Sequence, residues 1–510
     1  MRAHTALTAV GLVSLLGTVG TSALAGAGTP ATARHTTAGA TSKAVHVSLF
    51  NAGRVNARAT SSASTDSSAA PAGPSGTLYV NGATGSDTGT CRLQSHPCHT
   101  IDYAISKAPQ TATIKVTNGT YPEQVVVSTA GQHITIEGAS ETKTVIKPSS
   151  LATSDADTDS GSPVYAIVDA QPKTTVKLED LRVNGAAARN QFDSCSNDFG
   201  GVYYHDANGT LSKVTVTGIE LPTADFGCQQ GLAIYAASDS GSTSVVTMTS
   251  VTVNKYDKNG ITCDDAGTTC TIKSSTVTGI GATNLIGQNG IQGFGAHKMV
   301  LSKDTVTGNT YTGPTYVATG LILYDNVVTK VTSVTANSDD VGIYAGNDSS
   351  APATTTIDIV HSTASNATNQ NGAGGLGIGL DSATAGTLNS DTVQGDNGGG
   401  IFVWGSSGVT LENSSATRDL DGIYIGGPGS DNVGSTGDTI TMNTTSSNTN
   451  DGILADTDAT GNTFSSNVAN TNTGYDYEDD STGTGTAGTA NTWSMNTCTP
   501  AHDSQPEGLC

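Results

Sequence analysis

A glycine followed at once by an aliphatic residue recurs from Gly201 onward, and this repeat constrains the fold more than any other feature of the chain. The pairs begin at Gly201, Gly231, Gly260, Gly290, Gly320, Gly342, Gly377, Gly400, Gly422 and Gly452, with spacings of 22 to 35 residues. Each opens a short run of strand character, as in Gly260-Ile261-Thr262-Cys263. A second short strand type lies between them, as in Lys213-Val214-Thr215-Val216-Thr217-Gly218. Repeats of this length, built from short strands and Gly/Asn/Asp turns, mark a solenoid in which each unit buries its apolar face only against its neighbours. No helix-length segment of 3.6-residue period intervenes, which disfavours leucine-rich and βαβ repeats. A propeller blade would need four strands and about 40 residues. The expected fold class is all-β, a parallel β-helix of ten or more coils with two or three strands each.

Aligning the ten glycines as position zero sorts the side chains by face. Position +1 is aliphatic throughout, and position +3 is mostly small or apolar (Tyr204, Ile234, Cys263, Gly293, Leu323, Ala345, Leu380, Val403, Ile425, Ala455). With a side-chain period of two, both columns point inward and become aliphatic ladders when coils stack about 4.8 Å apart. Asn259, Asn289, Asp421 and Asp451, just before their glycines, read as turn residues that tolerate positive φ.

The flanks carry a resemblance. Leu78-Tyr79-Val80-Asn81-Gly82, Gly85-Ser86-Asp87, Thr100-Ile101, Thr113-Ile114-Lys115-Val116 and Asn118-Gly119-Thr120-Tyr121-Pro122-Glu123, followed by the repeats to Val468 and by Asn491-Thr492-Trp493 to Cys498, resemble the secreted right-handed parallel β-helix proteins of the pectate-lyase-like superfamily. The resemblance covers about residues 76–510. It implies a right-handed coil with a helical cap over its first turn and a second cap at its end. It says little of function, because such folds host lyases, hydrolases, epimerases, transferases and non-catalytic adhesins. Thr100 to Ala108 has its apolar residues at helical spacing and suits the first cap.

The expected organisation is a signal peptide over 1–25, a linker or pro-segment rich in Ala, Thr, Ser and Gly over 26–75, the β-helix over 76–470 and the C-terminal cap over 471–510. The signal rests on a basic start, the apolar Leu7 to Val19 and the small-x-small Ala23-Leu24-Ala25. It implies a secreted, extracellular protein. Eight cysteines then imply disulfides. Their order along a solenoid favours local pairs: Cys91–Cys98, Cys195–Cys228, Cys263–Cys270 and Cys498–Cys510. The formal charge of −22 argues against nucleic acid and anionic membrane surfaces as partners. The expected partner is a polysaccharide or oligosaccharide, bound by a monomer.

The outward columns suggest the chemistry. Positions +2 and +4 hold eight of the chain's aromatic side chains, far more than even scatter would place there, whereas the second strand type holds only Phe464. Strand propensity alone does not explain this contrast. Rings on a rigid repeating surface can stack on sugars while carboxylates accept from hydroxyls. The candidate binding residues are His205, Tyr235, Phe294, Tyr324 and Trp404. The candidate catalytic residues are Asp264, Asp265 and Asp325. Asp265 and Asp325 stand two coils apart, roughly 9–10 Å, near the upper limit for an inverting carboxyl pair. Rings one coil to either side of Asp264 would desolvate it and raise its pKa, as a general acid requires. The lyases among the proteins it resembles use an Arg or Lys base with calcium held by acids, yet no Arg falls in the aligned columns. The readings left open are cleavage of a glycosidic bond, a calcium-dependent lyase, and a non-catalytic glycan-binding or adhesin-like protein. Calcium is the one cofactor kept open.

Overall fold

The computed structural model describes residues 75–510, apart from 159–160, 193–194, 229, 348–355, 369–373, 428–432 and 500–502. The signal and linker assignments therefore lie outside the described residues, except that Ser75 begins the first strand. Each coil contributes three strands. The glycine-anchored strands form a 15-stranded sheet running from Val125–Val127 to Ser504–Gln505, with Asp155–Ala156 paired off its main path. The two other strands of each coil join a 27-stranded sheet. Every pairing between coils is parallel, and a strand meets its counterpart one coil on, as Asn259–Asp264 meets Asn289–Phe294 and that strand meets Thr319–Tyr324. The expectation of an all-β parallel β-helix holds, and strand stacking continues through Tyr477–Asp479 to Ser504–Gln505.

The two inward columns form the core. Ile261, Ile291, Leu321, Ile343, Ile378, Ile401, Ile423 and Ile453 stack in register, and all are fully buried. The glycine before each lets one coil approach the next. A Cβ on Gly290 would sit 2.3 Å from Val306 Cγ1 and 2.7 Å from the Gly320 carbonyl oxygen. Nine of the ten anchors stand in the aligned register. The exception is Gly231: Val202 pairs with Ile234 and Tyr203 with Tyr235, so Ala233 takes the place of the anchor glycine. A shift of two residues keeps every side chain on its face, because the period is two. It does move Tyr235 from the +4 column to the +2 column.

Ile101–Lys107 is the N-terminal cap helix. Thr100 Oγ1 accepts from the Tyr103 amide at 3.2 Å, and Glu123 takes the amides of Ile101 and Asp102 at 2.9 and 2.8 Å. Free amides at a helix start need such acceptors. All four expected disulfides are present. Cys263–Cys270 crosses the core, with both residues fully buried.

Candidate functional site

The outer face of the 15-stranded sheet is more covered than the sequence suggests. Tyr203, Tyr235, Tyr344 and Phe402 all point outward, yet each is no more than 9% exposed. Loops and neighbouring rings cover them. Tyr203 stacks on Tyr235 at 4.9 Å between centroids, and Phe402 stacks on Tyr424 at 4.8 Å. Among the candidate binding residues, Tyr235 and His205 are buried, while Phe294, Tyr324 and Trp404 are half-buried.

A segment missed in the sequence crosses the N-terminal end of this face. Asp155–Ala156 pairs antiparallel with Pro163–Val164 and carries the chain over three coils. The Tyr203 hydroxyl donates to the Ala156 carbonyl at 3.2 Å, and the Tyr235 hydroxyl to Asp157 Oδ2 at 3.1 Å. Thr158 donates to Asp265 Oδ2 at 2.8 Å. In sequence this stretch of Asp, Ser and Thr has no periodicity to distinguish it from an ordinary loop.

The three candidate carboxylates share one edge of the sheet. Asp264 pairs in register with Phe294, which pairs with Tyr324, so one of the two expected ring neighbours stands where the alignment put it. Tyr235 lies one column away but close enough to feel the Asp264 charge. Asp264 is buried, and its Oδ1 accepts from the Asp265 amide at 2.9 Å. Burial raises the Asp265 pKa, and the charges of Asp157 and Asp239 add to it. Thr158 and the Ser238 amide, both bonded to Oδ2, pull it down. Asp265 and Asp325 have φ of 75° and 56° and occupy the turn that ends the strand. Asp206, Gly295, Ser382 and Gly405 occupy the same turn in other coils, with φ from 51° to 62°. Aspartate is among the residues that tolerate this left-handed geometry. The turn thus accounts for the recurrence of these acids without any chemistry.

Among the described residues, the one group whose donor atoms converge as a metal site would is His205, Asp206 and Asp239. His205 already has partners, with Nδ1 3.0 Å from Asp155 Oδ2 and Nε2 3.4 Å from Asp239 Oδ2. Burial pulls the imidazole pKa down, but the bond to Asp155 and the charges of Asp155, Asp239 and Asp206 outweigh it and push it up to about 9. At neutral pH the ring is therefore a cation between carboxylates. Calcium favours all-oxygen sites, so these residues do not suit it.

Farther along, an apolar cluster joins Ile322, Val341, Tyr344, Leu376 and Phe402, with Tyr324, Trp404 and Tyr424 packed against it. Two tyrosines there are tied to carboxylates. The Tyr344 hydroxyl donates to Asp381 Oδ2 at 2.6 Å, and the Tyr424 hydroxyl donates to Asp456 Oδ2. Asp381 pairs in register with Trp404. This cluster contains two of the expected binding rings, Tyr324 and Trp404, and brings them beside Tyr344, Phe402 and Tyr424. Those three stood in the +2 column but were not singled out. Adjacency to Tyr324 and Trp404 was the available signal.

No family model matches the chain, and no curated protein matches it. Solved structures do. A GH136 lacto-N-biosidase from Eubacterium ramulus matches at 12% identity over 76% of this chain and 67% of its own, with a TM-score of 0.44. The periplasmic alginate epimerase AlgG matches at 9% identity over 78% and 82%, with a TM-score of 0.40. The catalytic unit of a GH87 alpha-1,3-glucanase from Streptomyces thermodiastaticus matches at 13% identity over 77% and 65%, with a TM-score of 0.44. The chain's own stacked parallel sheets make it a parallel β-helix. With TM-scores below 0.5 and identities of 9–13%, these likenesses say nothing of activity. Four disulfides fit an extracellular or periplasmic location. Among the described residues no helix is long and apolar enough to cross a membrane.

Proposed function

We propose that the protein binds a linear glycan along the outer face of the 15-stranded sheet and cleaves a glycosidic bond there. The observation that carries this reading is the row of half-buried rings, Phe294, Tyr324 and Trp404, in register with Asp264 at one end and Asp381 within it. Rings in such a row present flat apolar surface to sugar faces, and the carboxylates beside them accept from hydroxyls. Asp265, its pKa raised by burial, is the general acid. Asp325, two coils along, is the base that activates water, and their separation of roughly 9–10 Å points to inversion. Tyr235 and His205 act from beneath, positioning the segment that ends in Thr158. Calcium takes no part in this scheme. A depolymerisation screen across plant, algal and microbial glycans, with and without chelator, tests it. New reducing ends from at least one glycan, insensitive to chelator, are expected; no product from any glycan would overturn cleavage.

One observation favours a second reading, binding without cleavage. The left-handed turn explains Asp265 and Asp325 on backbone grounds alone. Under it the protein is an extracellular glycan-binding or adhesin-like structure, the same rings carry affinity, and no bond is broken.

A further inference from the structure

Rows of Ser, Asp and Asn run parallel to the helix axis at its corners. In each row a backbone amide donates to the side-chain oxygen of the equivalent residue one coil on. Ser362 donates to Asp391 Oδ1 at 2.7 Å, and farther along Asn443 donates to Asn467 Oδ1 at 2.9 Å. In a second row Asp396 donates to Asp419 at 2.9 Å and Asp419 to Asn448 at 3.0 Å. In a third Val409 donates to Asp438 and Asp438 to Asn462, both at 2.8 Å.

The asparagines use their second arm as well. Asn443 Nδ2 donates to the Leu411 carbonyl at 2.9 Å, Asn467 Nδ2 to Ile440 at 2.9 Å and Asn462 Nδ2 to Ser435 at 3.2 Å. Each of these carbonyls lies three residues before the row member of the preceding coil. In Asp339, Asp391, Asp419 and Asp438 the second arm is an oxygen, Oδ2, which is buried and has no hydrogen-bond partner. By the same offset, the carbonyls of Val306, Ile359, Val393 and Ser406 are the counterparts of those that Nδ2 reaches in the asparagines. An ionised carboxylate there would set oxygen against oxygen in a dry corner, at the full cost of an unsatisfied buried group. A proton on Oδ2 turns that arm into a donor, as Nδ2 is. Asp304 and Asp396 differ, because their Oδ2 atoms accept amides from Ser302 and Gln394.

We propose that Asp339, Asp391, Asp419 and Asp438 are held as neutral acids, protonated on Oδ2, and serve as asparagine equivalents that make the β-helix lose cohesion as pH rises. Burial is the first cause that pushes Asp391 up to about 8 and the other three up to about 7. The groups facing them are few. Asp391 meets the amides of Ser362 and Asn389, and Asp438 those of Val409 and Gly408, all of which pull down. Asp419 meets the amides of Asp396, Gly395 and Thr417, with Arg418 also pulling down. Asp396 feels the Asp419 charge in turn. Asp339 meets Asn309 and Asn337, which pull down, and Asp340, which pushes up; Tyr256, bonded to Asn309, feels its charge. Each folded-state pKa lies above the unfolded value, so the stabilisation is fully present below the unfolded carboxyl range and is lost as pH rises through about 7 and then about 8.

The test compares the protein with a variant carrying Asp339→Asn, Asp391→Asn, Asp419→Asn and Asp438→Asn, by urea unfolding between about pH 4 and about pH 9. Other buried acids titrate in both proteins, so the difference between the two curves is read. The variant is expected to gain on the parent by about tenfold in folding equilibrium per carboxyl for each pH unit between the unfolded carboxyl range and the folded-state titration at about 7 to 8, and the gap is expected to level off above it. Parallel curves would overturn the proposal. If the fourfold variant does not fold, Asp391→Asn alone is read by infrared spectroscopy. The parent's neutral-carboxyl band at about pH 6 should be larger than the variant's, and an identical band would overturn the proposal equally.

Discussion

Replacing Ile343 with alanine probes the inward ladder directly. Ile343 is fully buried and stacks between Leu321 and Ile378 in register. The change removes three carbons, about 2.4 kcal/mol at about 0.8 kcal/mol each. A cavity term adds to this, because backbone pairing on both sides holds Leu321 and Ile378 at the coil spacing and the gap cannot close. The sum is about 3–4 kcal/mol, within the range seen for such core truncations. Leu454 is the control. It lies in the same sheet, four strands along, but points outward and is half-buried, so Leu454→Ala should cost roughly 1 kcal/mol. A solenoid can open coil by coil, so hydrogen exchange resolved by peptide is the assay, with urea midpoints beside it. Protection should fall most in the coils of Leu321, Ile343 and Ile378. Equal costs for the two variants, or a larger cost for Leu454→Ala, would refute the inward and outward assignment on which the site also depends.

Trp404 stands five coils from Asp264, roughly 24 Å away at the coil spacing. Trp404→Ala should therefore weaken binding of long chains while leaving short oligosaccharides nearly unaffected, as read by affinity electrophoresis with a length series. Removing Cys195–Cys228, which closes a 33-residue separation, should cost roughly 3–4 kcal/mol by the chain-entropy account, measured as a fall in urea midpoint. His205, its pKa raised to about 9, contributes stability that is fully present below its unfolded value and lost as pH rises through about 9. His205→Gln should flatten the alkaline limb of the stability profile, and an imidazole that titrates by NMR near the ordinary value would contradict the ion pairs with Asp155 and Asp239.

The repeating core was legible because Gly-Ile and Gly-Leu pairs report a steric need and an apolar column together. Gly231-Leu232 has the same form and misled the alignment by two residues. The better match was Val202-Tyr203 with Ile234-Tyr235, which the structure pairs. The four disulfides followed from chain order along a solenoid. Burial of the outer face was not legible. Nothing in Leu151 to Thr158 marks it as the segment that crosses Tyr203, Tyr235 and Asp265, because its contacts are single hydrogen bonds over large sequence distances. The corner rows were hidden for a different reason. Ser, Asp and Asn are ordinary turn residues, and only the stacking of the coils shows that Asp391 and Asn443 occupy one row. The candidate carboxylates remain a placement by column, with Asp265 and Asp325 in a turn that favours aspartate for its backbone.

The most direct measurement of the central claim is turnover by Asp265→Asn on the first glycan that the screen shows to be cleaved, with binding measured beside it. The substitution is nearly isosteric and removes proton transfer. Turnover should fall by about 10²-fold or more, while affinity for the glycan stays within a small factor of the parent's. Full turnover by Asp265→Asn would contradict the account.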